Sequence, residues 1–229
     1  MLRKWEDLPE FMQTPEVRPY WEILNKKRGQ LALKRAFDVT AGTAMLVLLS
    51  PMMAVIAVAI KKDSEGPVFY RQERVTAYGK SFKIHKFRTM VSNADKIGTA
   101  VTVGNDSRIT KVGAKLRGLR LDELPQLIDV IKGDMSFVGT RPEAVKYVEQ
   151  YKPEYNATLL LPAGITSEAS IRYKDEDKLL DGAADVDTVY IEEVLPGKMK
   201  YNLTCVQNYS AIKDLITMLR TVTAVIGKG

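Results

Sequence analysis

Hydrophobic positions are concentrated in one place along the chain. Residues 39–60 read VTAGTAMLVLLSPMMAVIAVAI and carry no charge. At about 1.5 Å per residue, a helix of that length reaches roughly 33 Å, enough to cross the hydrocarbon core of a bilayer. A helix apolar on every side suits a soluble core poorly. No small-residue cleavage site follows it, so a removed signal peptide does not fit. Lys34 and Arg35 precede the run, and Lys61 and Lys62 follow it. Positive charge at both flanks assigns both to the cytoplasmic side. Pro51, near the midpoint, lacks an N–H and breaks the i→i−4 ladder. Ser50 beside it can hydrogen-bond a carbonyl that the break frees. Two arms of about 11 residues, each about 16 Å long, would enter one leaflet and return. The competing reading is a straight span with a tolerated kink, and residue types alone leave the two open. Asp38 is expected to pair with Arg35 or a neighbouring cation at the headgroup level.

The remaining pattern is α+β and mostly helical. Residues 1–30 mix charge with Trp5, Phe11, Tyr20, Trp21, Ile23 and Leu24, which suits short amphipathic helices against a membrane or the main domain. Residues 66–75 and 80–90 read as two strands joined at 77–79, a small β-hairpin, and 104–110 reads as a loop. A helix is expected over 111–119 and another from Pro125 to Gly133. The second has Leu124, Leu127, Ile128 and Ile131 on one face, proline at its start and glycine past its end. Residues 183–194 and 207–226 also read as helices. In the latter, Ile212, Leu215, Ile216, Leu219, Val222 and Val225 form one apolar face, for packing in the core or on a membrane surface. The expected division is an N-terminal extension (1–30), a membrane helix (31–62) and a catalytic unit (63–229).

Composition narrows the chemistry. Cys205 is the only cysteine among 229 residues, which excludes an internal disulfide framework. His85 is the only histidine, which excludes zinc sites built on several His and Cys ligands. A metal here is a hard cation held by carboxylates and phosphates. The net charge of +6 is uneven: residues 61–141 hold 16 basic and 9 acidic side chains, a surplus of +7. That third should attract phosphates.

The informative stretch within it is RGLRLDELPQLIDVIKGDMSFVGTRP, residues 117–142. Adjacent carboxylates, Asp122 and Glu123, stand before the expected helix. Their repulsion calls for a cation between them or a helix N-terminus beside them. Such a site keeps a carboxylate ionised and able to attack phosphorus. Arg108, Lys111, Arg117, Arg120 and Arg141 are candidates to neutralise phosphate oxygens. The plainer alternative is that Asp122 and Glu123 cap a solvated helix.

These residues, with KRAFD (34–38), LLSP (48–51), GPVFYRQERV (66–75) and KIHKFRTM (83–90), resemble the bacterial sugar transferases, the monotopic polyprenyl-phosphate phosphoglycosyl transferases. The resemblance covers roughly residues 31–165, and the chain looks like one of the small members. It implies that Asp122 is the nucleophile toward the β-phosphorus of a UDP-sugar, expelling UMP, and that Glu123 completes the dyad. It implies Mg²⁺ at Asp122, and phosphate contacts from Lys86, Arg88, Arg117 and Arg141. Undecaprenyl phosphate or a similar polyprenyl phosphate is the implied acceptor. The product would begin a bacterial glycoconjugate such as a capsule, exopolysaccharide, O-antigen or glycoprotein glycan. Ser50 and Pro51 match the break of a re-entrant helix, which implies a monotopic protein on the cytoplasmic face of the bacterial inner membrane. A homodimer is left open.

Two departures stand out: Gly139-Thr140-Arg141-Pro142 in place of Gly-Pro-Arg-Pro, and residues 162–167, PAGITS, in place of Arg-Pro-Gly-Ile-Thr-Gly. They and the acidic stretch at 175–187 bear on sugar or nucleotide recognition. A membrane-anchored module binding anionic lipid or nucleic acid is the non-enzymatic alternative. The sequence has no nucleic-acid motif and no aromatics interleaved with the cations, so nucleic acid is not expected. A glycosyltransferase releasing UDP is the enzymatic alternative.

Overall fold

The computed structural model describes residues 2–94, 106–180 and 185–226. After two short 3₁₀ turns come α1 (Arg18–Asn25), α2 (Arg28–Asp63), β1 (Phe69–Val75), β2 (Ser81–Phe87) and α3 (Lys111–Gly118). A 3₁₀ turn, Leu121–Gln126, leads into α4 (Leu127–Lys132) and β3 (Met135–Val138). Then follow α5 (Val145–Val148), the 3₁₀ segment Pro153–Leu160, β4 (Ala163–Thr166), α6 (Glu168–Arg172) and α7 (Glu176–Leu179). The chain closes with α8 (Val186–Val189), a π-helical turn Tyr190–Val194, α9 (Leu195–Gln207) and α10 (Ala211–Ile226). Parts of two expected elements, residues 104–105 and 183–184, lie outside the described residues, as does the side chain of Val225.

The apolar run lies within α2, one helix of 36 residues that is helical through Ser50 and Pro51. Pro51 leaves the Val47 carbonyl without its usual donor. Ser50 Oγ donates to that carbonyl at 2.8 Å, as the sequence suggested. The most apolar 18-residue window has a mean hydropathy of 2.4 and is only 11% buried. A soluble core helix of this composition would be mostly covered, so the chain itself does not house this surface. Val47 and Leu48, beside the proline, are 69% and 78% exposed.

Both halves of α2 nevertheless rest on the same body. Before Pro51, Leu46 and Leu49 pack against a cluster of Phe82, Ile84, Leu127, Val130 and Phe137. After it, Ile56 and Ile60 pack with Phe87 and Leu116. The flanking charges act as tethers. Arg35 donates to the carbonyls of Val130 (2.6 Å) and Ile131 (2.8 Å) at the C-terminal end of α4, where helix carbonyls lack partners and favour a cation. Lys34 donates to Val138 O at 2.8 Å and pairs with Asp214 at 2.6 Å. The expected Asp38–Arg35 pair is corrected. Asp38 is buried and accepts from the Phe137 backbone N–H at 3.2 Å, where it serves β3.

The hairpin forms as expected. β1 and β2 pair antiparallel, with Tyr70 opposite Lys86, Gln72 opposite Ile84 and Arg74 opposite Phe82. Tyr78 takes the left-handed conformation (φ 61°) in the connecting turn. A second, parallel pair, β3 with β4, was not expected from sequence; Ser136 faces Gly164 in it. Two strands of four residues each are too short for alternation to reveal. The N-terminal segment packs on the main body, placing Leu8, Met12, Val17 and Leu24 in one core with Val75, Leu160 and Leu203. In α10, Met218 and Thr221 face inward, Thr221 bonding Thr166 at 2.7 Å. Ile212, Leu215, Ile216, Leu219 and Val222 are exposed, so that stripe is not core.

A Cβ added at Gly164 would collide with the backbone N and O of Gly139. Gly164→Ala should therefore force β4 out of register and cost about 3 kcal/mol or more in denaturant unfolding. Gly29→Ala, whose Cβ meets open space in α2, should stay within about 1 kcal/mol of wild type.

Candidate active site

Asp122 and Glu123 lie inside the 3₁₀ turn Leu121–Gln126, which runs into α4; the helical segment thus begins before Pro125, where sequence placed its start. Arg120, just ahead, is in the left-handed region (φ 56°), which sets the sharp turn into this segment. Both carboxylates are buried. The capping alternative does not describe Glu123, whose partners are cationic side chains. Arg141 Nη2 donates to its Oε1 at 2.5 Å and Nη1 to its Oε2 at 3.4 Å. Lys86 Nζ lies 3.5 Å and Arg120 Nη1 4.0 Å from the same Oε1.

The two carboxylates therefore differ electrostatically. Burial alone would push Glu123 up, but Arg141 and Lys86 outweigh it and hold the group well below the usual carboxylate range. Asp122 is pushed up, by burial first and then by Glu123, against opposing pulls from Lys86, Arg117 and Arg120. Lys86 is lowered to about 8 by burial, although Glu123 favours its charge. The Glu123 charge in turn raises Arg141 further. Asp122 Oδ1 is buried and has no hydrogen-bond partner among the described residues. Glu123 is tied down, while Asp122 keeps an oxygen unengaged, the disposition expected of a nucleophile or a cation ligand.

The candidate residues divide by position. Lys86, Arg117 and Arg141 act on the dyad, together with Arg120. Arg88 is elsewhere: its Nη2 donates to Ser64 O at 2.6 Å and Ser64 Oγ at 3.0 Å, closing the C-terminal end of α2. Arg108 is held by Asp106, with Nε to Oδ1 at 2.9 Å. Among the described residues, no three His, Cys, Asp or Glu side chains converge as a metal cage. Ser50 and Pro51 sit in α2.

Several residues were not anticipated. Asp129 of α4 accepts both the His85 backbone N–H (2.9 Å) and its Nδ1 (2.5 Å), locking the strand residue beside Lys86 to the helix that follows the dyad. Glu143 accepts from Tyr190 OH at 2.7 Å and Lys198 Nζ at 3.1 Å, and Lys198 also pairs with Glu176 at 3.0 Å. This buried network anchors the segment that carries Arg141. Arg74, on the strand face of Lys86, was readable from β1 alternation once the hairpin register was known.

The buried dyad is ringed by cations, in a body that also carries a largely uncovered apolar helix. Comparison with known proteins identifies the family. The family model described as bacterial sugar transferase matches residues 29–228. The chain is 34% identical over 197 residues to the UDP-N-acetylgalactosamine-undecaprenyl-phosphate N-acetylgalactosaminephosphotransferase of Aeromonas hydrophila, covering 85% of this chain and 44% of that one. It is 43% identical over 169 residues to the UDP-glucose:undecaprenyl-phosphate glucose-1-phosphate transferase of Escherichia coli K12, covering 70% and 36%. Against the exopolysaccharide production protein PSS of Rhizobium leguminosarum bv. phaseoli it is 35% identical over 206 residues, covering 87% and 98%. It spans less than half the length of the first two and nearly all of the third. The chain belongs to the bacterial sugar transferase family.

Arg141→Ala would leave Glu123 charged and buried without its principal partner. It should cost about 2–3 kcal/mol in denaturant unfolding, short of a fully buried pair because Arg141 is partly exposed. Adding Glu123→Gln should recover most of that loss, since the neutral amide no longer needs the cation.

Proposed function

We propose that this chain transfers a sugar 1-phosphate from a UDP-sugar to undecaprenyl phosphate or a similar polyprenyl phosphate, through a covalent phosphosugar on Asp122, with release of UMP. The observation that carries this reading is the division of labour in the dyad: Glu123 is held by cations, and Asp122 Oδ1 is buried with no hydrogen-bond partner among the described residues. The names of the Aeromonas and Escherichia relatives, both sugar-phosphate transferases acting on undecaprenyl phosphate, support the substrate classes.

An Asp122 oxygen attacks the β-phosphorus. As that O–P bond forms, the bond from the β-phosphorus to the bridging oxygen breaks, and UMP leaves with the electron pair. A phosphate oxygen of the polyprenyl phosphate then attacks the same phosphorus. The bond to Asp122 breaks, the carboxylate is regenerated and a lipid-diphosphate-sugar is released. Burial and Glu123 push the Asp122 carboxyl up, Lys86, Arg117 and Arg120 oppose that rise, and Glu123 orients Arg141 and Lys86. Mg²⁺ fits Asp122, because this cation takes one or two carboxylates and completes its shell with water and substrate phosphates. When bound it offsets the charge of the diphosphate.

The acceptor's phosphate lies at a membrane surface, and α2 supplies a way to reach it. We read α2 as entering the cytoplasmic leaflet of the bacterial inner membrane and returning at Ser50-Pro51. A straight span would carry one end of the helix away to the far side. Here Arg35 and Asp38 near one end, and Ile56 and Ile60 near the other, meet the same body, which supports a return. The outward apolar stripe of α10 is consistent with a second contact at the interface.

With UDP-sugar, Mg²⁺ and polyprenyl phosphate, the released nucleotide should be UMP, and Asp122→Asn should lower turnover by at least about 10³-fold. Release of UDP would favour a direct glycosyltransferase. Lys86 is charged below pH about 8 and neutral above it, so kcat/KM for the UDP-sugar should fall as pH rises through that value. Lys86→Arg, which stays charged, should move this limb upward; an identical limb in both proteins would exclude Lys86 as its source. Reporter tags at residues 1 and 229 should both be accessible from the cytoplasm, and Pro51→Leu should shift the N-terminal tag to the opposite side.

A further inference from the structure

We propose that Arg74 is a further phosphoryl-binding residue of the dyad site, an inference that rests on the transferase reading and extends it. In the β1–β2 register Arg74 lies opposite Phe82, Gln72 opposite Ile84 and Tyr70 opposite Lys86. Residues directly opposite in an antiparallel pair share a face. The strand face that presents Lys86 to Glu123 therefore also carries Arg74. One residue later, Val75 N–H donates to Glu143 O at 3.0 Å, which lays Arg74 alongside the segment holding Arg141. Two strand contacts thus bring Arg74 to where Lys86 and Arg141 meet.

Its bonding leaves it short of negative charge. Arg74 Nε (3.2 Å) and Nη2 (2.6 Å) both donate to one neutral acceptor, Gln72 Oε1. Among the described residues, its hydrogen-bond partners include no carboxylate. Glu143, the carboxylate that most favours its charge, already accepts from Tyr190 and Lys198. Glu123 is engaged by Arg141 and Lys86. Burial and then Arg141 both disfavour the Arg74 charge. Three cations held this close, with one of them given only an amide, form an arrangement that an arriving anion stabilises. Gln72 fixes the plane of the guanidinium and leaves the Nη1 donors for a phosphoryl oxygen, the group that a guanidinium fork fits best. That oxygen belongs either to the diphosphate of the nucleotide sugar or to the phosphate of the lipid acceptor; the chemistry is the same.

Titration calorimetry on the full chain in detergent distinguishes these sources and separates binding from structure. One arm uses UDP, which carries the diphosphate without the sugar; the other uses a short polyprenyl phosphate. Arg74→Gln should weaken at least one arm by about tenfold or more, with Tm unchanged or raised because repulsion among the cations is relieved. Arg74→Lys, which keeps the charge but loses the fork, should fall between it and wild type. Weakening of the UDP arm assigns Arg74 to the diphosphate, and weakening of the lipid arm assigns it to the acceptor. Affinities within twofold of wild type in both arms would overturn the role. So would a fall in Tm of more than about 5 °C that accompanies loss of binding in Arg74→Gln and Arg74→Lys alike, since that marks a structural prop. If Arg74→Gln does not fold, Arg74→Lys decides alone: weakened binding supports the role and unchanged binding overturns it. A wild-type chain that binds neither UDP nor the lipid would instead overturn the transferase reading itself.

Discussion

The carboxylate of Glu123, gripped by Arg141 and approached by Lys86, joins three separate stretches of chain at one point: the 3₁₀ turn before α4, strand β2 and the segment after β3. A buried ion pair adds little to net stability, because desolvation consumes most of the attraction. Its value here is geometric and electrostatic. With Arg141 and Lys86 engaged by Glu123, Asp122 is left beside the cations with an oxygen that has no hydrogen-bond partner among the described residues. A dyad of two equivalent carboxylates could not separate the roles in this way. The asymmetry comes from which of the two meets Arg141.

The same logic of charges spent on position extends to α2. Lys34, Arg35 and Asp38 bind the C-terminal end of α4, the C-terminal end of β3 and the N-terminal part of α10. Of these elements, α4 continues directly from the turn that carries the dyad. A helix with a largely uncovered apolar surface is thereby fixed to the frame of the site through buried polar contacts. Arg88 performs the matching service at the other end, closing the last turn of α2 through Ser64. On the proposed mechanism, this rigid coupling holds the nucleophile at a set depth relative to the lipid phosphate.

Much of this was legible in the sequence wherever the deciding interactions are local. A helix over the apolar run, the β-hairpin and the adjacent carboxylates each show as a contiguous pattern, although the run read as two arms broken at Ser50-Pro51 and the structure has one helix of 36 residues; the Ser50–Val47 bond follows from the neighbouring proline. Long-range partnerships were not legible. Arg88 follows a strand rich in basic residues, where sequence suggests a phosphate contact, yet the helix end it caps is reached only through the fold. Asp38 finds Phe137 99 positions away, and Lys34 finds Asp214 180 positions away. The β3–β4 pair and the Glu143–Lys198 network escaped for the same reason: each depends on which distant segments meet, and short strands and single charges carry no periodic signal.

The central claim is that Asp122 carries the phosphosugar. Intact-protein mass spectrometry after incubation with Mg²⁺ and the correct UDP-sugar, without any lipid acceptor, tests it most directly. The account predicts a mass increase equal to one sugar phosphate, located on Asp122 and discharged when polyprenyl phosphate is added. An unmodified protein under conditions in which the complete reaction proceeds, or an adduct on another residue, would contradict it.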